Sequence, residues 1–391
     1  MNFLIIHNRY SLAGGEERVV GMQCDILRAH GHQTTLYERR HDEIRGWRLG
    51  RVSSFFSSFY NRRSVRQIKE LIRTQKPDVA LVHNLFPVVS PAILPVLRQA
   101  GIPIVMTLHN FRMVCPTGLF FLRDTICEQC GASQTKEWNC VANKCEGTRV
   151  GSIAFALRSF WARERGLYLN NVSTFIALSE FQRQKLGQYG LPLDNTAVVP
   201  NPVDFIDPSA QKTDIERGNF IGMVGRLSVE KGVSLLFNVA ERLPNVSFRV
   251  AGAVTASDEI MARMPPNIEL LGVLDRAALD EFYATARAVV STSICYETFG
   301  LAIAEAMVRG AVGIVPRLAA MADLVDDGRV GMIYPSGDGW ALARVIEQIM
   351  DDDALVAKLS ILGREYILRQ YSAEAYYENL YRQVELLTQV K

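Results

Sequence analysis

Apolar residues along this chain fall in short blocks, and between the blocks their spacing changes to the three-and-four rhythm of a helix. The first block, NFLIIH at 2–7, precedes Gly14 and Gly15 and then an apolar-periodic segment from Glu16 to His30, which predicts a buried strand, a loop and a helix. TTLYE near 34, DVALVH at 78–83, IPIVMTLH at 102–109 and STFIALS at 173–179 continue the alternation. Buried strands separated by helices predict a parallel, doubly wound sheet. After the Pro- and Asp-rich stretch PNPVDFIDPSAQ at 200–211 the pattern restarts with NFIGMVG, VSFRVAG, IELLG, AVVSTS, AVGIVP and GMIYP, a second sheet of the same kind. The tail from Ser372, AEAYYENLYRQVELL, predicts an amphipathic helix whose aromatic face needs a surface to cover. The expected organisation is α/β: two Rossmann-like doubly wound domains, 1–204 and 205–371, and a helix at 372–391 packing back toward the N-terminal domain.

Length supports two cores, since 391 residues exceed what one hydrophobic core usually holds. The start, MNFLIIHNRY, lacks a basic lead and a long apolar run, and no stretch reaches transmembrane length, so the expected location is cytoplasmic. Charge is uneven: residues 1–200 carry 25 Lys and Arg against 15 Asp and Glu, and the rest carry 18 against 26, giving halves of +10 and −8. A first half so basic faces something anionic, a membrane surface or a phosphorylated ligand. No nucleic-acid-binding motif is present, so nucleic acid is not an expected partner.

Chemistry concentrates after two strands of the second half. FIGMVG runs into GRLSVEKG, which places Arg226 and Lys231 at the entrance of a predicted helix; backbone N–H groups and two cations there suit a diphosphate without a metal. The spacing is not that of a P-loop. AVVSTS leads to ETFGLAIAEAM, where Glu297 lies in the loop and Glu305 in a helix with no polar face. A carboxylate there needs a hydrogen-bonding partner, a side chain or the hydroxyls of a ligand.

Taken in order, the Gly14-Gly15 loop, TLHNF around His109, SEFQ at Ser179, PNPVD at Asn201, GRLSVEKG and ETFGLAIAE resemble the GT4 family of retaining glycosyltransferases. That resemblance implies a GT-B fold, two Rossmann-like domains facing a central cleft. It implies that Glu305 holds the ribose of a nucleotide-diphosphate sugar and that Glu297 sits against the transferred sugar. Arg226 and Lys231 neutralise the leaving diphosphate, and His109 contacts the donor sugar from the other domain. Gly14, Gly15, Phe299, Gly300 and Leu301 complete the donor-binding set. The acceptor is a saccharide or a lipid-linked molecule in bacterial polysaccharide, lipopolysaccharide or glycoconjugate biosynthesis, and no cofactor is required for catalysis. A departure from the family pattern is RLAAMADLV at 317–325, where Ala319 and Ala320 replace expected glycines and Asp323 stands near the expected carboxylate. The alternative is a catalytically silent nucleotide-sugar-binding subunit of the same fold. A dinucleotide oxidoreductase is disfavoured, because neither half begins with G-x-G-x-x-G.

Two features stand outside this scheme. Five of the seven cysteines crowd between Cys115 and Cys145, and the spacing of Cys127, Cys130, Cys140 and Cys145 suits a structural zinc; reduced thiols and disulfides are the alternatives, the last disfavoured in a cytoplasmic chain. The segments RVSSFFSSFYNRRSVRQIKELIR from Arg51 and RVGSIAFALRSFWARERGLY from Arg149 interleave aromatics with cations. They predict either peripheral attachment to an anionic membrane, the inner face of the cytoplasmic membrane, or aromatics that pack the first domain with solvated arginines outside.

Overall fold

A computed structural model of the chain describes residues 1–10, 14–46, 50–204 and 217–389, without the side chains of 45, 46 and 51–54. Most of the Pro- and Asp-rich stretch at 200–211 lies outside the described residues, as does the Arg51 side chain at the head of the first aromatic segment. The chain forms two compact units: Met1–Phe120 with Glu128–Pro202 and Glu374–Lys391, and Phe121–Cys127 with Val203–Ala373.

In the first unit β1 (Asn2–Arg9), β2 (Gln33–Arg40), β3 (Val79–Val82) and β4 (Ile104–Leu108) precede a small hairpin, β5 (Phe121–Leu122) and β6 (Thr125–Ile126), that belongs to the second unit. Strands β7 (Thr174–Ala177) and β8 (Thr196–Val198) follow, and the sheet order is β2-β1-β3-β4-β7-β8, with every pairing parallel. Phe3, Leu4, Ile5 and Ile6 of β1 are fully buried, as expected for a parallel strand with helices on both faces. The helix Gly15–Ala29 contributes Val20, Cys24 and Leu27 to that core, and the helix Ala373–Thr388 contributes Tyr376, Leu380 and Val384. Its aromatic face is thereby placed: the Tyr377 ring stacks on His30 at 3.5 Å. β8 escapes the sequence pattern because it is three residues long and merges with the Pro-rich stretch behind it.

The second unit contains β9 (Phe220–Val224), β10 (Ser247–Ala251), β11 (Ile268–Gly272), β12 (Ala288–Val290), β13 (Val312–Pro316) and β14 (Met332–Tyr334). These pair in parallel in the order β11-β10-β9-β12-β13-β14. Its core joins β9, β10, β12 and β13 to the helices Val233–Arg242 and Gly339–Asp351. Each sheet has one place where the strand order reverses, between β1 and β3 in the first and between β9 and β12 in the second. Beyond the carboxyl ends of such strand pairs the backbone opens a crevice, which is where ligands of doubly wound sheets bind.

Candidate active site

At the reversal point of the second sheet, the loop after β9 and the loop after β12 are sewn together. The Thr292 hydroxyl donates to the Lys231 carbonyl at 2.7 Å, and the Ile294 N–H donates to the Glu230 carbonyl at 3.1 Å. Gly232 precedes the helix Val233–Arg242 with φ of 75°, a left-handed conformation that favours glycine, and a methyl group there would lie 1.9 Å from the Thr292 carbonyl oxygen. Gly300 does the same for the helix Leu301–Val308, with φ of 97°. Both helices therefore start at this crevice, with their first N–H groups at the loops that carry the charges.

Within this frame Lys231 and Glu297 meet. The Lys231 Nζ lies 2.5 Å from Glu297 Oε1, and the Ser293 hydroxyl donates to the same oxygen at 2.5 Å. Burial by itself raises the Glu297 carboxyl, but Lys231 and Ser293 outweigh it and the net shift is downward. Burial pulls Lys231 down, and Glu297 more than reverses it. The pair is thus charged at neutral pH. Arg226 is half-exposed and pairs with Glu230 at 3.2 Å, near enough for its charge to act on both Lys231 and Glu297.

Glu305 is only 3% exposed in the otherwise apolar helix Leu301–Val308, and the Tyr283 hydroxyl donates to its Oε2 at 3.2 Å. A protein partner for this carboxylate therefore exists, which sequence spacing did not reveal. Phe299 is buried and packs edge-on against Tyr371 at 5.2 Å, and Leu301 opens the helix. In the segment that departs from the family pattern, Ala319 takes φ of 54°, the left-handed conformation a glycine would occupy without strain. Asp323 is exposed there, with its carboxyl raised by partial burial and by Asp327.

The reversal point of the first sheet carries the other predicted residues. Gly14 and Gly15 open the helix Gly15–Ala29, and Glu17 reaches back to accept from the Gly14 N–H at 2.8 Å and the Tyr10 N–H at 3.0 Å. Neither glycine has positive φ. His109, after β4, bonds to His83 Nδ1 through Nε2 at 2.8 Å. His83 Nε2 lies 2.9 Å from Gln23 Oε1, and Gln23 Nε2 donates to the Tyr376 hydroxyl at 2.5 Å. A carbonyl oxygen only accepts, so His83 carries its proton on Nε2, its Nδ1 accepts, and His109 donates from Nε2. Burial, with His7 as second cause, takes His109 down to about 3, so it works as a neutral donor. His83, Gln23 and Tyr376 were not singled out from sequence, because the chain of bonds spans 353 residues and no local spacing announces it.

The cysteine segment is divided: Cys127 ends the hairpin segment of the second unit, and Cys130, Cys140 and Cys145 belong to the first. Cys140 is buried and its thiol hydrogen-bonds Cys145, which with burial raises it strongly. Among the described residues no group of three or more His, Cys, Asp or Glu is arranged to hold a metal ion.

The two aromatic and basic segments part company. In the second, the helix Arg149–Glu164 and the residue after it, Arg158 is buried between the rings of Phe86 and Phe155 at 4.0 and 4.4 Å, whereas Arg149, Arg163 and Arg165 are exposed and Arg163 pairs with Glu137 and Glu164. The first keeps Phe56 and Tyr60 exposed, and Tyr60 lines an open groove of about 570 Å³ with Arg62, Arg66, Lys69, Arg73 and Glu70, the last paired with Arg73 at 2.6 Å. No helix among the described residues is long and apolar enough to cross a membrane.

Comparison with known proteins agrees with this geometry. The family model described as Glycosyltransferase Family 4 matches residues 13–205, and the one described as Glycosyl transferases group 1 matches residues 206–366. The lipopolysaccharide core biosynthesis glycosyltransferase LpsE of Rhizobium meliloti (strain 1021) is 24% identical over 383 residues, 95% of this chain and 96% of that protein. Among solved structures, Anabaena Alr3699/HepE in complex with UDP and glucose matches with a TM-score of 0.65 at 18% identity, over 99% of this chain and 100% of its own. Sucrose-phosphate synthase from Thermosynechococcus elongatus matches with a TM-score of 0.73 at 17% identity, over the whole of both chains. Two doubly wound parallel sheets, each with polar groups gathered at its reversal point, define a protein of the GT-B class. The chain belongs to glycosyltransferase family 4, and its C-terminal half to the group 1 glycosyl transferases.

Proposed function

We propose that this protein transfers a sugar, with retention of anomeric configuration and without a catalytic metal, from a nucleoside-diphosphate sugar to a saccharide or lipid-linked acceptor in bacterial polysaccharide, lipopolysaccharide or glycoconjugate assembly. The observation that carries it is the charged Lys231–Glu297 pair at the start of two helices, beyond the strand ends where the second sheet reverses. Breaking a glycosyl–phosphate bond develops negative charge on the diphosphate and positive charge on the ring. Lys231, Arg226 and the helix-start N–H groups answer the first, and Glu297 answers the second. Glu305 hydrogen-bonds the ribose, with Tyr283 holding the carboxylate in place. The acceptor hydroxyl attacks from the face the diphosphate leaves, and a phosphate oxygen takes its proton, so no dedicated base is needed. The solved relative that holds UDP and glucose and the relative named for lipopolysaccharide core biosynthesis support UDP-sugars and cell-surface glycans as the first substrates to try.

Product analysis tests this. Incubated with UDP-, GDP- or ADP-sugars and a saccharide acceptor, the enzyme releases nucleotide and leaves the new linkage with the donor's anomeric configuration by NMR, with activity unchanged by EDTA. An inverted product contradicts the retaining mechanism, and no turnover of any donor favours the silent binding subunit. The exposed Phe56 and Tyr60, the latter beside four cations, also support peripheral attachment to anionic membranes. Sedimentation with anionic but not zwitterionic vesicles, released by salt and weakened by Arg62→Glu with Arg66→Glu, is the expected result. Absence of sedimentation leaves a soluble acceptor.

A further inference from the structure

At the reversal point of the first sheet a cavity of about 40 Å³ is lined by Glu16, His83, Asn84, His109, Arg112 and Tyr168 among others. That is room for about three water-sized groups. Its charge balance is unusual. Arg112 donates to the Tyr10 hydroxyl at 3.1 Å and to Asn84 Oδ1 at 3.5 Å, and Arg158, 6% exposed, donates to the Pro116 carbonyl at 3.3 Å from behind Phe86, which also lines the cavity. Among the described residues neither guanidinium has a carboxylate within 4.0 Å, and the Nε of each is buried without a hydrogen-bond partner.

Two neighbouring cations with no carboxylate in ion-pair contact, Glu146 acting on both only from beyond 4.0 Å, are unfavourable, and an anion seated between them would complete the arrangement. Burial, and then the charge of Arg112, pull Arg158 down to about 9. The one carboxyl lining the cavity does not compensate: burial, and next Glu17, push Glu16 up to about 8, so at neutral pH it offers an O–H rather than a negative charge. The neutral His109 N–H and the Asn84 amide add uncharged polar groups.

We infer that this cavity seats an anionic group of the acceptor, a phosphoryl or a carboxylate, held by Arg112, with Arg158 acting from behind Phe86 as a positioning residue that strengthens the field. The acceptor class this selects is a phosphorylated or uronic-acid-bearing saccharide, or a sugar on a lipid phosphate, rather than a neutral glycan. Its place as acceptor rests on the transferase reading above, whereas the anion seat stands on the first unit alone.

The test follows thermal unfolding of the full chain as sodium phosphate or sodium glucuronate replaces sodium chloride at constant ionic strength, with and without saturating UDP. At an anion concentration about ten times its Kd, the wild type rises by about 3–6 °C. Arg112→Gln loses that response, Arg112→Lys keeps part of it, and Arg158→Met, which preserves the stem between the two rings, weakens it. A response to phosphate alone assigns a phosphorylated acceptor, and one to glucuronate a uronic acid. The inference is overturned if neither anion exceeds chloride, or if Arg112→Gln responds as the wild type does. It is also overturned if saturating UDP abolishes the response, which would give the seat to the donor diphosphate. Stabilisation by UDP is read separately, so failure of the donor reading and failure of the anion seat are distinct results.

Discussion

Gly232→Ala tests whether the seam between the loops after β9 and β12 holds the charged pair. The added methyl group faces two obstacles: a φ of 75°, and the Thr292 carbonyl oxygen 1.9 Å from its ideal position. The left-handed backbone costs a non-glycine residue about 1–2 kcal/mol. Relieving the clash must move Thr292, which is fully buried, and with it the 2.7 Å bond to the Lys231 carbonyl and the adjoining 3.1 Å bond from Ile294 to Glu230. At about 1 kcal/mol for each bond the total is about 3–4 kcal/mol. For a unit of this size that lowers its Tm by roughly 6–16 °C. Gly337→Ala is the control, because Gly337 has φ of 79° but a methyl group there meets nothing within 4 Å, so it carries the backbone term alone. Differential scanning calorimetry should separate the two variants by about 2 kcal/mol. Because displacement of Thr292 also displaces Lys231 from Glu297, turnover of Gly232→Ala should fall on the order of a hundredfold, while Gly337→Ala keeps it. Equal Tm values for the two variants, or full turnover in Gly232→Ala, would refute the seam.

Three further outcomes follow from the same geometry. Lys231→Met leaves the Glu297 carboxylate without its cation and should lower Tm, the double variant Lys231→Met with Glu297→Gln should recover most of that loss, and neither should recover turnover; calorimetry and donor consumption check both. For pH, the buried His7, at about 4, and His109, at about 3, lie below their ordinary value, so they contribute stability above about pH 6.5 that is lost on acidification. Glu16, at about 8, opposes them with stability present below about pH 4.5 and lost as pH rises through 8. Glu16→Gln removes the opposing contribution, so its stability should fall between pH 7 and 5 by about 2 kcal/mol more than the wild type's, read from chemical denaturation at both pH values. Elemental analysis of the purified protein separates the readings of the cysteine segment: about one zinc per chain, lost in Cys130→Ser, supports the structural metal, and a stable, active preparation without zinc supports reduced thiols.

What the residues announced and what they hid divides along physical lines. The six strands of the second sheet are visible because each is a short apolar run closed by Gly, Pro or a polar pair. Glu305 is visible because a carboxylate in an apolar helix conflicts with its surroundings. The Lys231–Glu297 pair is not, since 66 residues separate its members and only the β9–β12 pairing brings their loops together. The His109–His83–Gln23–Tyr376 chain is hidden for the same reason. Arg158 misleads outright. In sequence it belongs to a basic, aromatic helix that looks like a surface, and only the packing of Phe86 against it shows the guanidinium turned inward.

The central claim is that Lys231 and its loop hold a nucleoside diphosphate. Isothermal titration of UDP, GDP and ADP into the wild type and into Lys231→Ala tests it most directly. The account predicts that at least one nucleotide binds the wild type and that Lys231→Ala weakens it by about tenfold or more, the loss of one charge-assisted contact. Binding of none of the three, or equal affinity in the two proteins, would contradict it.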